Sequence, residues 1–140
     1  MGSFTDHVED KVLDLMFGAS STLSTGNPSV YYLGLSTTTI TDAGGNITEP
    51  SSGAYARVAA TNNKTTFSVS SSGSVTNSVT LSFPAATGSW GTILDFFLAN
   101  SSTASATANI YAYGTLAASK TIQNGDTASF SAAALTITLT

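Results

Sequence analysis

Hydrophobic residues recur at helical spacing only near the start of the chain. Residues 5 to 18, TDHVEDKVLDLMFG, carry an apolar stripe made of Val8, Val12, Leu15 and Met16 and widened by Leu13 and Phe17. Asp6 followed three positions later by Glu9 is typical of a helix start, and Gly18 is typical of a helix end. The pattern predicts one amphipathic helix, which packs either on the sheet of its own domain or on a neighbouring subunit.

After residue 30 the hydrophobic pattern becomes that of short β-strands. Strands are predicted at residues 30–36, 56–60, 74–83, 108–116 and 128–132, followed by a last strand that alternates Leu135, Ile137 and Leu139 with threonines. Alternation is strict in residues 74–83, whose apolar side is Val75, Val79, Leu81 and Phe83, with Asn77 as the polar exception. Asn124-Gly125 adds a hairpin signal, because both residues tolerate positive φ.

The spacing of these strands indicates the fold class. Short strands separated by turn signals, with no helical pattern between them, favour an antiparallel arrangement over a parallel sheet. At 140 residues the chain is long enough for one domain with a real core and too short for two. We therefore expect a mainly β protein with a single domain over residues 1–140. It is expected to be an antiparallel β-sandwich or jelly roll over residues 30–140, with a short N-terminal α-helix within residues 1–18.

The run from residue 92 to residue 99 is apolar on both of its alternating sides. One side, expected to face the core, is Thr92, Leu94, Phe96 and Leu98, and the other is Ile93, Asp95, Phe97 and Ala99. In one interpretation a second sheet or the helix covers the second side. Asp95 then pairs with Arg57, a hydroxyl or backbone N–H groups, because an unpaired buried carboxylate is costly. In the other interpretation this side meets a second subunit and Asp95 orients the contact. A catalytic Asp95 is the third alternative.

Charge is scarce along the whole chain. Charged residues make up 9% of the sequence, only four of them are basic, and the formal net charge is −4. No basic stripe is present to neutralise phosphates, so nucleic acid is not an expected partner. No apolar run approaches the roughly 20 residues that span a bilayer, and no secretion signal is apparent, so no membrane association is expected. Cysteine is absent, which excludes disulfides and thiolate metal sites.

Side chains that commonly carry out catalysis or bind metals are few. His7 is the only histidine and lies on the polar side of the predicted helix, where we expect it to be solvated. Residues 42–46, DAGGN, lack the ligand density of a calcium loop, so a turn is the preferred interpretation. We expect no catalytic residue, no cofactor and no metal. The acids available for a glycosidase-like pair show no mutual spacing signal; they are Asp42, Glu49, Asp95 and Asp126.

Three motifs and the segments around them resemble a family of small tailed-bacteriophage virion structural proteins. The motifs are G-x-Y-A-R at Gly53 to Arg57, F-P-x-A-x-x-x-W-G at Phe83 to Gly91, and K-T-[IV]-x-x-G-D at Lys120 to Asp126. The segments are VYYLGLSTT, TDAGGNITEPSSGAYARVA, SVTLSFPAATGSWGTILDFFLAN and YGTLAASKTIQNGDTASFSAAALTITL, which together cover nearly the whole chain. Residues 100–108 depart from the family, whose members tend to have a glycine-containing turn there.

The resemblance implies a non-enzymatic virion component, since similar proteins are described as tail-fibre, minor structural or capsid cement proteins. Our first expectation is a capsid cement or decoration protein, made in the host cytoplasm and placed on the capsid surface. Its homo-dimers or homo-trimers would stabilise the lattice of the major capsid protein. The alternative is a tail fibre or baseplate component that binds a host surface glycan. A hydrolase is the third possibility.

Aromatic residues and the second side of residues 92–99 supply the expected contact surface. Aromatic groups dominate interface energetics, and an exposed Ile93 or Phe97 would leave apolar surface in water. Tyr111 and Tyr113 are expected on one side of their strand, opposite Ile110, Ala112 and Leu116. In the glycan alternative, Trp90 and the tyrosines would stack on sugar rings. The interface candidates are Tyr31, Tyr32, Trp90, Ile93, Asp95, Phe97, Tyr111 and Tyr113.

Overall fold

The computed structural model describes residues 2–17 and 27–139. Strands dominate this part of the chain, and the expectation of a mainly β protein is confirmed. The elements, in chain order, are β1 (Gly2–Phe4), α1 (Asp6–Phe17), β2 (Val30–Ser36), β3 (Val58–Thr61), β4 (Ser74–Thr76), β5 (Leu81–Ser82), β6 (Gly91–Ala99), a short 3-10 helix (Thr107–Asn109), β7 (Ile110–Ile122), β8 (Ser129–Phe130) and β9 (Thr136–Thr138).

Seven of these strands form one curled sheet that resembles half of a barrel. The strand order is β3-β2-β6-β7-β1-β9-β4, and β5 pairs with β8 in a separate ribbon. The pairings are antiparallel except for β1 with β9, where Gly2 lies opposite Ile137 in a parallel ladder. A sandwich or jelly roll, each of which needs two packed sheets, is not confirmed. Because β7 pairs with β6 and β8 pairs with β5, the predicted hairpin at Asn124-Gly125 is not a paired ladder.

The sheet buries side chains on both of its faces. We call the face with the larger cluster the inner face; among its buried side chains are Leu33, Leu35, Ile93, Phe96, Leu98 and Ile137. We call the opposite face the outer face; its buried cluster is Ile40, Phe97, Ala99 and Ile110, with Ile47 and Tyr113 packed against it. The outer cluster is smaller, but it removes the central strand β6 from solvent on its second side.

Helix α1 packs on the sheet of its own chain, as the first alternative predicted. The carbonyl oxygen of Thr5 accepts hydrogen bonds from the N–H groups of Val8 and Glu9, at 2.9 and 3.0 Å, so Thr5 is the cap residue and the predicted cap, Asp6, is the first residue of the helix. The Thr5 hydroxyl donates to the carbonyl of Ile110 at 2.7 Å, which fastens the helix start to β7. The side chains of residues 10, 11 and 14–17, together with Gly18 and residues 19–26, lie outside the described part of the chain.

Residues 74–83 form two short strands where the alternation predicted one. Asn77 interrupts the ladder: it is 1% exposed, and its amide donates to the carbonyls of Val79, Phe130 and Ser131. Its side-chain oxygen accepts the N–H of Leu135 at 2.8 Å. A buried amide with all these partners fixes β4 against the segment before β9, so the polar exception in the pattern is a structural junction.

Candidate functional site

Two irregularities in the ladder between β6 and β7 decide which way the predicted contact residues point. Ile93 lies opposite Lys120 and Asp95 lies opposite Thr115, so Leu94 alone faces residues 116–119 of β7. The extra residues lie on β7, and they disrupt the ladder at the point where the alternation of β6 also breaks. Ile93 therefore joins Phe96 and Leu98 on the inner face, and the prediction that it shares a side with Phe97 is wrong.

The second irregularity corrects the predicted side of the β7 tyrosines. Leu98 lies opposite Ala112 and Ala99 lies opposite Ile110, which leaves Tyr111 as the extra residue. Ile110 and Tyr113 then belong to the outer cluster, whereas Tyr111 lines an inner cavity beside Ala112. The two tyrosines do not share a side opposite Ile110.

The outer face of β6 is covered by loops of the same chain. Phe97 is 0% exposed, and Ile40 and Ile47 from the loop after β2 pack in its cluster. The Arg57 guanidinium lies over the Phe97 ring, with 4.8 Å between Cζ and the ring centroid. The first interpretation of this strand, coverage within the domain, is therefore the one observed, although loops replace the expected second sheet or helix.

Asp95 is fully buried beneath the same cover. Its Oδ2 accepts the N–H of Ile40 at 2.7 Å, and its Oδ1 has no hydrogen-bond partner among the described residues. Of the alternative partners expected for Asp95, a backbone N–H group is the one observed, and Arg57 pairs with Glu49 instead. Asp95 ties the loop over Phe97 to the sheet and has no exposed surface.

Arg57 pairs with Glu49 on the outer face. Nη2 and Nε of Arg57 donate to the Glu49 carboxylate at 2.6 and 3.0 Å, and the Arg57 side chain is 2% exposed. Nη1 donates to the carbonyls of Ser101 and Ala104 at 2.6 and 3.0 Å. One side chain thereby holds the loop before β3 and the loop after β6 together. The sequence did not identify Glu49 as the partner of Arg57, because Glu49 lies in a loop and no motif links it to Arg57.

Tyr31 and Tyr111 meet in an apolar cavity of about 300 Å³ under helix α1. Their ring centroids are 5.6 Å apart, and His7 contacts Tyr111 edge-on at 6.1 Å, so His7 is half-buried where solvation was expected. Burial, and secondarily the charge interaction with Tyr111, raises the pKa of Tyr31 to about 12. The other apolar side chains around the cavity are Phe4, Val8, Val12, Phe67, Val75, Leu98, Ala112 and Ile137.

Tyr32 and Tyr113 keep part of their surface in solvent. The Tyr113 hydroxyl donates to Asp42 Oδ1 at 2.9 Å. Desolvation, reinforced by this bond to a carboxylate, raises the pKa of Tyr113 to about 12. Of the eight predicted interface candidates, Tyr31, Tyr32 and Tyr113 are those that the structure leaves half-buried, and their role between subunits stays a prediction.

Trp90 lies where the three sequence motifs meet. Its ring is 3% exposed, and its indole N–H donates to the carbonyl of Gly53 at 2.8 Å. Its backbone N–H donates to the carbonyl of Ile122 at 3.0 Å, and the N–H of Ala86 donates to the carbonyl of Asp126 at 2.8 Å. The motifs at 53–57, 83–91 and 120–126 therefore bond directly to one another, and the expectation that Trp90 stacks on sugars is not supported.

Tyr55 completes this junction of motifs. Its ring stacks on Phe83 and meets Trp90 edge-on, at centroid distances of 6.1 and 5.2 Å. Its hydroxyl accepts the N–H of Leu35 and donates to Glu49 Oε1, at 2.8 and 2.7 Å. Burial is the main cause that raises the pKa of Tyr55. The residues that carry the sequence resemblance thus stabilise the fold.

Acidic and histidine side chains are dispersed in the described ranges. Among the acidic and histidine side chains that the structure describes, which leave out Asp10 and Asp14, no group of three or more stands close enough to hold a metal ion. Residues 41–45 form a tight turn, closed by the N–H of Gly44 to the carbonyl of Thr41 at 2.8 Å, in agreement with the turn interpretation. No helix in the described part of the chain is both long and apolar enough to cross a membrane.

Comparison with known proteins identifies the family. A family model described as "Podophage GP4 fiber I protein gp80" matches residues 3–138, from the first strand of the sheet to the last. No curated protein matches the chain. The match agrees with the resemblance that the motifs carry. The chain belongs to the podophage GP4 fiber I protein gp80 family, and it is a phage virion structural protein.

Proposed function

We propose that this protein is a non-enzymatic structural subunit of a phage fibre. The observation that carries the proposal is the fibre-protein family match over residues 3–138. The motif residues support the proposal because they serve a structural role: Gly53, Trp90 and Asp126 form hydrogen bonds within the chain that join the three motifs. Function resides in sites rather than in folds, and here the motif residues serve the architecture of the sheet.

A fibre position replaces the capsid surface as our first choice. The family description names a fibre protein, whereas the capsid cement expectation depended on an exposed apolar side of β6. Ile93 and Phe97 are 1% and 0% exposed, so they offer a capsid lattice no surface unless the chain rearranges. Capsid decoration remains the alternative that the labelling experiment below must distinguish from a fibre position.

The proposed partners are further copies of the chain or other fibre polypeptides, in place of the major capsid protein. Short Ser, Thr and Ala side chains lose little rotamer entropy when a contact orders them. A charged fraction of 9% also limits repulsion between adjacent copies. Tyr32 and Tyr113, whose rings remain partly in solvent, are the contact candidates that fit this proposal.

Labelling the virion tests this proposal. Antibodies against the purified protein, carrying gold, would be applied to intact particles of the phage that encodes it and viewed by electron microscopy. We expect gold along the fibres, and no gold after the antibody is pre-adsorbed with purified protein. An icosahedral distribution over the capsid would refute the fibre position in favour of decoration.

A further inference from the structure

The turn after β7 carries an asparagine–glycine pair at its exposed tip. The N–H of Asp126 donates to the carbonyl of Gln123 at 3.1 Å and closes a four-residue turn, while Asp126 Oδ2 accepts the N–H of Gln123 at 2.8 Å. Gly125 has a φ of 90°, in the left-handed region that glycine tolerates, and Asn124 keeps a negative φ. Both residues are exposed, so the side chain of Asn124 is open to water.

We propose that Asn124 is a site of spontaneous modification, at which the backbone nitrogen of Gly125 attacks Cγ of the Asn124 side chain. The new N–Cγ bond closes a succinimide ring, the Cγ–Nδ2 bond breaks, and ammonia leaves with the proton that the Gly125 nitrogen gives up. Water then opens the ring at either carbonyl and yields aspartate or isoaspartate. Water is the only co-reactant, and the oxidation state of every atom is unchanged.

Glycine at position 125 makes the attacking nitrogen accessible from the side chain. Glycine has no side chain of its own to stand beside that nitrogen, and nothing lies within 4 Å of the place where a Cβ at Gly125 would stand. Of the other described asparagines, none precedes a glycine. Each is followed by a residue whose side chain or ring stands beside the next nitrogen, which makes those asparagines internal references.

The fold holds the attacking nitrogen back. The N–H of Gly125 donates to the carbonyl of Ala86 at 2.7 Å, and Ala86 is 2% exposed. The N–H of Ala86 in turn donates to the carbonyl of Asp126 at 2.8 Å, so the turn is bonded in both directions to the motif that contains Trp90. The nitrogen reaches Cγ only when this pair of bonds opens, and the reaction is gated by local unfolding of the turn.

Conversion of Asn124 to aspartate or isoaspartate would weaken the hydrogen bonds between the turn and Ala86. Isoaspartate inserts a methylene into the backbone of the turn, and either product places a negative charge two residues from Asp126. In a virion, whose proteins are not replaced after assembly, this change would accumulate with age. That consequence rests on the proposed fibre function, whereas the chemistry at Asn124 does not.

The full-length purified chain can be compared in native buffer and in guanidinium chloride at the same pH and temperature. Peptide mass spectrometry would follow the small mass gain of amide-to-acid conversion at each asparagine. In the unfolded chain, we expect conversion at Asn124 before any at Asn46, Asn63 or Asn100. In the native chain, we expect the rate at Asn124 to be at least about tenfold lower. Asn124→Gln should give no product at that position.

A variant of the turn tests the gate separately. Asp126→Ala removes the exposed carboxylate that accepts the N–H of Gln123, so the native rate at Asn124 should rise severalfold while the rate in guanidinium stays the same. Folding should slow amide hydrogen exchange at Gly125 of the unchanged protein by the same factor as it slows conversion of Asn124. Equal rates in the native and unfolded chains, or no early conversion at Asn124 when unfolded, would overturn the proposal. Fibre labelling of the virion does not depend on either result.

Discussion

Replacing Gly34 by alanine tests whether the outer face is filled by the chain itself. Gly34 of β2 lies opposite Phe97 of β6, and the phenyl ring rests on the glycine. A Cβ at Gly34 would stand 2.2 Å from Cζ of Phe97 and 2.6 and 2.7 Å from its two Cε atoms. Ordinary carbon–carbon contacts are about 3.5–4.0 Å, so the ring must move by more than about 1 Å.

The ring has no free space for that movement. Phe97 is 0% exposed, Ile110 packs beside it, and the Arg57 guanidinium lies over it at 4.8 Å. Overpacking of a filled core costs about 1–3 kcal/mol, and more where neighbours cannot shift. For Gly34→Ala we expect the free energy of unfolding to fall by about 3 kcal/mol, a large part of the roughly 5–15 kcal/mol that stabilises a domain.

Urea unfolding followed by the fluorescence of Trp90, the single tryptophan, would measure the change. We expect a lower midpoint with an unchanged slope. In the Phe97→Leu background, the added cost of Gly34→Ala should drop below about 1 kcal/mol, because the two positions are coupled. Gly88→Ala is the matched control: its Cβ would meet its nearest atom at 3.5 Å, so we expect a change within about 0.5 kcal/mol. Equal costs of Gly34→Ala in both backgrounds would refute the packing described for Phe97.

Three further predictions concern polar side chains that are buried or half-buried. Asp95→Ala should lower the free energy of unfolding, measured in urea, by about 1–3 kcal/mol because it leaves the N–H of Ile40 without its acceptor, whereas Asp95→Asn, which keeps an acceptor for that N–H, should cost less than Asp95→Ala. Arg57→Lys should cost about 1.5–3 kcal/mol by the same assay, since lysine cannot keep the bonds to two loops at once; a neutral result would show that these bonds add nothing. In an absorbance titration, Tyr31 and Tyr113 should ionise near pH 12, and ionisation near pH 10 in the folded state would contradict this. Because their pKa values in the folded state lie above the ordinary value of 10, the stability that they contribute is full below pH 10 and is lost as pH rises through 12.

Local periodicity was sufficient to predict most elements of the described chain. Strand β2 spans residues 30–36 as predicted, and α1, described over Asp6–Phe17, lies within the predicted helical segment. Both depend on side-chain spacing within one segment, which the sequence displays directly. β1 was missed because its three residues carry no alternation, and it is a strand only because β7 and β9 lie on either side of it.

The orientation of side chains on β6 and β7 could not be predicted from alternation. The ladder irregularities beside Leu94 and at Tyr111 depend on how two strands distant in sequence fit together, and each breaks the alternation of faces. The same limit applies to the cover over Phe97. Ile40 and Ile47 lie in a turn-rich loop whose composition indicates a solvent-exposed segment, but tertiary contacts place both on the sheet.

Chemical cross-linking of intact virions with an amine-reactive reagent would identify the neighbours of this chain in the assembled particle. Lys64 is exposed in the segment after β3, and Lys120 is exposed near the end of β7, so they provide two independent reporters. If the protein is a fibre subunit, both lysines should cross-link to fibre or tail polypeptides or to other copies of the chain. Cross-links from both lysines to the major capsid protein would contradict the fibre assignment.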